Sequence, residues 1–408
     1  MKDVVVTGMG VVSSIGSTVD RYWESLTSGR TGIVKASPEE LGADRPGLWA
    51  PIDGGFGAEE LLDDKVLAGT DRHTQMLMVA AENAREQAGL GELDPLRTAL
   101  VTGTSMGGLN SVIDAQSAYE DGGAPAVPNK VQIKMWPNMG AAQLAYRWKL
   151  HGPQLTLCTA CASSADAVGT AARLIESGIA DVAVAGGSDA HLKPVVLLSA
   201  GGLGAGSAEV DPARGLLPFD KGRSGMVVGE GAGALVLESR RHAQARGARI
   251  LAAVRGYGSL ADSYHPSSPD PSGEWQALTM SNALADAGLE RSDIAGIVAH
   301  GTGTRIGDAA ELRAINRYLG EHAEKVVVAS TKGHIGHTSG ASAVMSMIAA
   351  IESLRTRRFV HNAGTTDPED EARFRIVTGG PVELGEGAVQ VNAFGFGGQN
   401  ASVLLTRD

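Results

Sequence analysis

The chain is predicted to fold as an α/β protein of two related halves, on three observations. Short apolar runs alternate with longer amphipathic segments, the pattern of buried strands covered by helices. With 55 glycines, 43% hydrophobic residues and only 4% aromatics in 408 residues, the interior must be packed from small aliphatic side chains. Part of the chain also repeats. Ala165, Ala167, Val168, Ile175, Glu176 and Ser177 reappear 176 positions later as Ala341, Ala343, Val344, Ile351, Glu352 and Ser353. The same offset carries Cys161 onto His337, and a second echo pairs residues 88–104 with 287–302. A chain this long exceeds one ordinary core, so the expected halves are residues 1–249 and 250–408, divided after the helical stretch 238–246.

Each element has its own justification. Residues 4–7 open a strand directly after Met1-Lys2-Asp3, without the basic segment, apolar stretch and cleavage site of a signal peptide, which points to a cytoplasmic protein. Apolar runs at 100–102, 155–158, 182–185 and 234–237 read as buried strands, and 72–87 and 165–176 as amphipathic helices. The second half repeats the scheme with strands at 251–254, 294–299, 326–329 and 389–392. Residues 199–224, rich in glycine, proline and charge, form an irregular stretch of the length that usually serves as a lid, entrance or interface. No membrane partner is expected, because no 18-residue run is free of charge and apolar. A net charge of −11 argues against nucleic acid as a partner.

Cys158 and Cys161 are too few for a disulfide scaffold or a four-thiolate zinc site. Their C-x-x-C spacing fits a redox pair, but Cys158 falls within a predicted strand. Cys161 lies between a strand-like run and a small-residue helix start. That setting places its thiol at a helix N-terminus, where free N–H groups and the macrodipole favour thiolate. An inert buried cysteine is the plain alternative. Three clusters at predicted strand ends supply context: His300-Gly301-Thr302-Gly303-Thr304 followed by Asp308 and Glu311; Ser330-Thr331-Lys332-Gly333-His334-Ile335-Gly336-His337; and Asn392-Ala393-Phe394-Gly395-Phe396-Gly397-Gly398. His300, His334, His337 and Asp308 suggest a metal site. The glycine-rich turns are equally explained by backbone amides crowding a reactive carbonyl, and no metal is expected.

Taken in order with Val4-Val5-Val6-Thr7-Gly8-Met9-Gly10, Thr159-Ala160-Cys161-Ala162-Ser163-Ser164, Pro218-Phe219-Asp220-Lys221 and Gly229-Glu230-Gly231-Ala232-Gly233, these clusters resemble the condensing enzymes. The resemblance is to β-ketoacyl-acyl carrier protein synthases of the chain-elongating kind and to type II polyketide ketosynthases, and it spans essentially the whole chain. It implies a thiolase-like fold of five αβαβα layers built from two pseudo-duplicated halves. It also implies an acyltransferase that condenses a Cys161-bound acyl chain with malonyl-acyl carrier protein, by decarboxylation, in fatty acid or polyketide synthesis. The resemblance implies no cofactor beyond the carrier's phosphopantetheine.

Residue roles follow from the same resemblance. Cys161 is the nucleophile, and the backbone N–H groups of Cys161 and Phe396 form the oxyanion hole. His300 and His337 stabilise the enolate, Lys332 supplies positive charge and pairs with Glu311, and Asp308 supports them. Thr302 and Thr304 are expected to bind the pantetheine arm, Phe396 to act as a gate, and Met106, Met226 and Phe394 to line the substrate pocket. A non-condensing subunit of the chain-length-factor type and a malonyl decarboxylase are the alternatives; the four catalytic positions speak against the first.

Some positions depart from the family pattern. Ser224-Gly225-Met226 stands where relatives carry an acidic residue, glycine and phenylalanine, and Thr338-Ser339-Gly340 replaces a leucine-rich stretch. Residues 200–207 lack the basic side chains that grip an acidic carrier protein, so docking is expected to use Lys130, Lys134 or a partner subunit. The family also implies a homodimer, or a heterodimer with a homologous subunit, that buries residues 155–158.

Overall fold

A computed structural model describes residues 4–44 and 46–408; Met1, Lys2 and Asp3 of the expected strand-first start lie outside them. The N-terminal half contributes β1 (Val4–Ser13), β2 (Thr98–Gly103), β3 (Gln154–Leu157), β4 (Val182–Asp189) and β5 (Gly231–Ser239). The C-terminal half contributes β6 (Ala252–Ala261), β7 (Ile294–Val298), β8 (Val327–Ala329), β9 (Ala388–Gly395) and β10 (Gln399–Thr406).

The strands lie in the order β3-β2-β4-β5-β1 in one half and β6-β10-β9-β7-β8 in the other, joined where β1 meets β6. Adding five to every label of the first half, read outward from the seam, reproduces the second. Strand directions match as well. β2 runs parallel to β3 and β4 while β5 runs antiparallel to β4 and β1; β7 is parallel to β8 and β9 while β10 is antiparallel to β9 and β6. The duplication expected from the sequence is therefore present in the topology.

Helices α1 (Arg72–Gln87) and α2 (Met139–Trp148) cover the outer face of the first sheet. Between the sheets lie α3 (Ser163–Glu176) and α6 (Ser342–Thr356), and the outer face of the second sheet carries α4 (Glu274–Ala287) and α5 (Arg305–Leu319). These are the five expected layers. β1 runs six residues beyond its apolar start because α1 crosses it at backbone distance. A Cβ on Gly8 or Gly10 would lie 2.0 Å from the carbonyl oxygen of Ala84 or Ala80.

The structure departs from the expectations in four places. The expected strands omit β10, whose Val403-Leu404-Leu405 run follows the glycines of 395–398. The stretch 199–224 begins inside a helix, Pro194–Gly202. Cys158 follows β3 rather than ending it, and β3 is an open edge whose Leu155 is 40% exposed.

The fourth concerns the repeat. A 3-10 turn, Ala160–Ala162, leads into α3, and a matching turn, Ser339–Ala341, leads into α6. Both begin in the left-handed region, Ala160 with φ 50° and Ser339 with φ 48°. The structural offset is thus 179 (Ser339 against Ala160), and Gly340, not His337, stands opposite Cys161. A slip of three residues leaves a helix with nearly the same face, so alanine-rich helices matched by sequence slide easily into the wrong register.

Candidate active site

Cys161 sits at the tip of a braced elbow. Thr159 N–H donates to Ser163 Oγ (3.0 Å), while the Ser163 and Ser105 hydroxyls donate to Ala160 O (2.6 and 3.2 Å). Asp166 of α3 accepts from Thr159 Oγ1 at 2.5 Å and from the Tyr257 hydroxyl of β6 at 2.6 Å, tying the elbow to the other half. These bonds hold Ala160 in a conformation that L-residues otherwise avoid. From the same side the end of β9 presses in so closely that a Cβ on Gly395 would lie 3.0 Å from Cys161 N. That approach brings the backbone N–H of Phe396, beside that of Cys161 itself, onto the sulfur.

Burial pushes the Cys161 thiol up to about 11, against the pull of Lys332 and of the two N–H groups. The expected thiolate is therefore not the resting state. The helix N-terminus is present, but loss of water outweighs it. The two N–H groups remain aimed where negative charge would develop during acyl transfer.

His300 follows β7 and His337 follows the helical turn Lys332–Ile335. Cys161 Sγ and one ring nitrogen from each histidine lie within 4.8 Å of one another, and the two rings meet edge-on, centroids 5.5 Å apart. Both Nδ1 atoms are occupied as acceptors. Lys332 Nζ stands 3.4 Å from His300 Nδ1, and Ser339 N–H donates to His337 Nδ1 at 3.2 Å with Ser342 Oγ at 3.0 Å. An ammonium and a backbone N–H can only donate, so each imidazole carries its proton on Nε2. Burial first, and the Lys332 charge second, hold both histidines well below their usual range. Both are therefore neutral, each with its N–H on Nε2.

Lys332 is fully enclosed; its Nζ donates to His300 O at 2.5 Å, and desolvation lowers it below the usual lysine range. The expected Lys332–Glu311 ion pair is absent among the described residues. Glu311 Oε1 and Oε2 instead accept from the N–H groups of His300 and Gly301 (2.8 and 2.7 Å), and the two charges act on each other only at a distance. Burial raises Glu311 to about 7 despite those bonds. Asp308 stands one turn away and accepts from Phe219 N–H and Gly303 N–H, so it shapes the turn 301–304 and does not reach the histidines. Thr302 and Thr304 hydroxyls lie 2.9 Å apart in that turn, and Thr304 caps α5.

A cavity of about 680 Å³ opens onto Cys161, His300 and His337. Its wall also takes in Thr302, Thr304, Met106, Met226, Phe394 and Phe396, so every residue expected to touch substrate is brought together. Phe396 is 43% exposed at its edge, followed by left-handed Gly397 and Gly398. Gly395 serves close approach, a Cβ there lying 3.0 Å from Cys161 N. The helix Pro194–Gly202 and residues 203–208 supply one side of the cavity.

Residues 1–243 match the N-terminal domain of the β-ketoacyl synthases, and residues 251–366 match their C-terminal domain. The chain belongs to the β-ketoacyl synthase family. The 3-oxoacyl-[acyl-carrier-protein] synthase 2 of Vibrio cholerae serotype O1 is 36% identical over 414 residues, 99% of each chain. The enzyme of the same name from Rhizobium meliloti is 35% identical over 426 residues, 100% of this chain and 99% of its own. A solved β-ketoacyl synthase from Burkholderia phymatum superposes with a TM-score of 0.91 at 31% identity, covering 100% of both chains. The ishigamide ketosynthase/chain length factor superposes with a TM-score of 0.92 at 30% identity, covering 100% of this chain and 99% of the other.

This β-ketoacyl synthase also contains site residues that the sequence did not single out. Asp189, buried at the end of β4, accepts from Ser105, Met106 and Gly340 N–H and from the Thr104 hydroxyl, joining the turns of both halves. His191 and Gln276 line the cavity with His191 Nδ1 and Gln276 Oε1 unpartnered. A single histidine and glutamine in apolar surroundings carry no pattern that could reveal this. The four-residue metal set is not assembled in this synthase. His334 Nδ1 and Nε2 each lie 2.9 Å from a backbone carbonyl, of Arg30 and His361, and Asp308 faces its own turn.

Proposed function

We propose that this chain is an active condensing enzyme that joins a Cys161-bound acyl chain to malonyl-acyl carrier protein with loss of carbon dioxide. Cys161 attacks the carrier thioester, and its proton leaves on the departing carrier thiol. The oxygen of the tetrahedral adduct is held by the N–H groups of Cys161 and Phe396. Malonyl thioester then loses its carboxylate as carbon dioxide, and the enolate oxygen takes hydrogen bonds from Nε2–H of His300 and His337. The enolate carbon attacks the Cys161 thioester, and collapse expels the cysteine thiolate, which takes up a proton from water before another round. The Lys332 charge keeps both imidazoles neutral; Lys332 at Nδ1 of His300 and the Ser339 N–H at Nδ1 of His337 hold their protons on Nε2, with Glu311 holding the His300 backbone. The arm of the carrier's phosphopantetheine would run past Thr302 and Thr304, and no other cofactor enters a step.

The observation that carries this reading is a thiol and two N–H-donating imidazoles converging within one cavity, each imidazole fixed by its other nitrogen. We assign the nucleophile to residues 1–249 and the histidines and lysine to residues 250–408. The proposal includes a cytoplasmic setting, where Cys158 and Cys161 stay reduced. It also includes a dimer, with an identical or homologous subunit, across the open edge of β3. Exposed Tyr119, Ile133, Trp136 and Tyr146, all between β2 and β3, support that interface. Carrier docking falls to Lys130, Lys134 or the surface of the partner subunit. The test is acylation from acyl-carrier protein followed by intact mass: the native enzyme should gain an acyl adduct and Cys161→Ala none. A stable adduct on that variant would overturn the assignment.

A further inference from the structure

One turn of the cavity wall runs from the interior to solvent. His300 and Thr302 are buried, Thr304 is half-buried and Arg305 is exposed, and all four line the cavity. Arg305 is the one lysine or arginine among the described lining residues. Its Nε lies 3.5 Å from the carbonyl oxygen of Arg223, the residue that leads into Ser224, which also lines the cavity. The guanidinium therefore stands at the rim, between Thr304 and Ser224. Its two terminal amino groups have no partner among the described residues.

The acid on the same wall does not neutralise this charge. Asp262 is buried and already accepts from Asn400 Nδ2 at 2.5 Å and from Asp270 N–H at 2.9 Å. In a chain of net charge −11, an unpaired cation at the mouth of the cavity is a local exception. It suits an occupant whose inner part is neutral and whose outer end is an anion. The acyl-pantetheine arm has that form: thioester and amides within, a phosphate without. A guanidinium matches phosphate oxygens with two parallel N–H donors.

We propose that Arg305 binds the phosphate of the carrier's phosphopantetheine and so anchors the outer end of the arm whose inner part passes Thr302 and Thr304. This rests on the condensing reading of the site. It supplies at the rim a cation of the kind that residues 200–207 lack. No bond is made or broken by Arg305. An exposed charge-assisted contact of this kind is worth roughly 3- to 10-fold in loading.

The test compares hexanoyl-phosphopantetheine with hexanoyl-pantetheine, which lacks only the phosphate, and follows the rate of the Cys161 adduct by intact mass. The native enzyme should load the phosphorylated thioester about 3- to 10-fold faster, and the ratio should shrink at high salt. Arg305→Gln should erase the ratio, chiefly by slowing the phosphorylated thioester, and Arg305→Lys, which keeps the charge without the fork, should retain part of it. Arg223 Nη2 donates to the Arg305 carbonyl oxygen, so these substitutions leave that bond in place. With hexanoyl-acyl carrier protein, Arg305→Gln should raise KM by a similar factor. Equal loading of the two thioesters by the native enzyme would overturn the proposal, as would a variant that slows both alike or an unchanged KM for the carrier. Absence of any adduct from all three substrates would instead remove the condensing reading, and this proposal with it.

Discussion

The two turns that open the middle-layer helices share a backbone and differ in everything chemical. At Ala160–Ala162 the turn presents Cys161 to the cavity; at Ser339–Ala341 it presents Gly340 to Asp189, whose carboxylate accepts the Gly340 N–H at 2.7 Å. One copy uses its strained elbow to expose a side chain, the other to bring its backbone close to a buried acid. The histidines come from neither elbow. His300 and His337 lie on connections of the C-terminal half that have no counterpart of like chemistry in the first. A duplicated fold therefore supplies symmetric placement, and catalysis arises where the copies differ.

The largest expected effect bears on the two imidazoles. Alanine at His300 or His337 removes one N–H donor and should lower malonyl decarboxylation by roughly 10² to 10³-fold, while acyl loading of Cys161 changes far less. Separate assays of the two steps check this, and equal losses in both would mean that the roles given to the C-terminal half are misplaced.

The comparison of the turns themselves is tested by Gly340→Ala. A Cβ there would lie 2.8 Å from Asp189 Oδ2 and 2.9 Å from Ser105 N. The expected cost is about 1 to 3 kcal/mol of stability, read from the denaturant midpoint at unchanged slope. A variant as stable as the native protein would show that the second elbow has room for a side chain.

The smallest effect concerns Lys332. Its buried charge titrates below the ordinary lysine range because desolvation disfavours the ammonium. As pH rises through that lowered value the ammonium becomes neutral, His300 Nδ1 loses its obligate donor, and condensation should decline. Lys332→Met should be slower at every pH and lose this alkaline limb. A limb of unchanged position in that variant would assign it to another group.

Much of this was readable from residues alone. Apolar runs announce nine of the ten numbered strands within a few residues, and a thiol between strand and small-residue helix marks the candidate nucleophile. The remainder depended on packing that a linear pattern cannot hold. The thiol's raised proton affinity comes from burial, which overrules the helix N-terminus only once the second half closes over it. The resemblance pairs Glu311 with Lys332, whereas the backbone N–H groups of His300 and Gly301 have the nearer claim on its carboxylate. The repeat was read three residues out of register because the connection 330–338 is longer than its counterpart, and an alanine-rich helix tolerates the slip.

The middle layer has a consequence for how the molecule can come apart. Helix α6 is buried along almost its whole length, and its cluster draws side chains from both halves, Val6 and Val11 from one and Val391 and Val403 from the other. Neither half could keep its own interior dry alone: separated, each would expose the same helix-bearing face to water. Heat or denaturant should therefore meet one cooperative unit, however clearly the chain records a duplication.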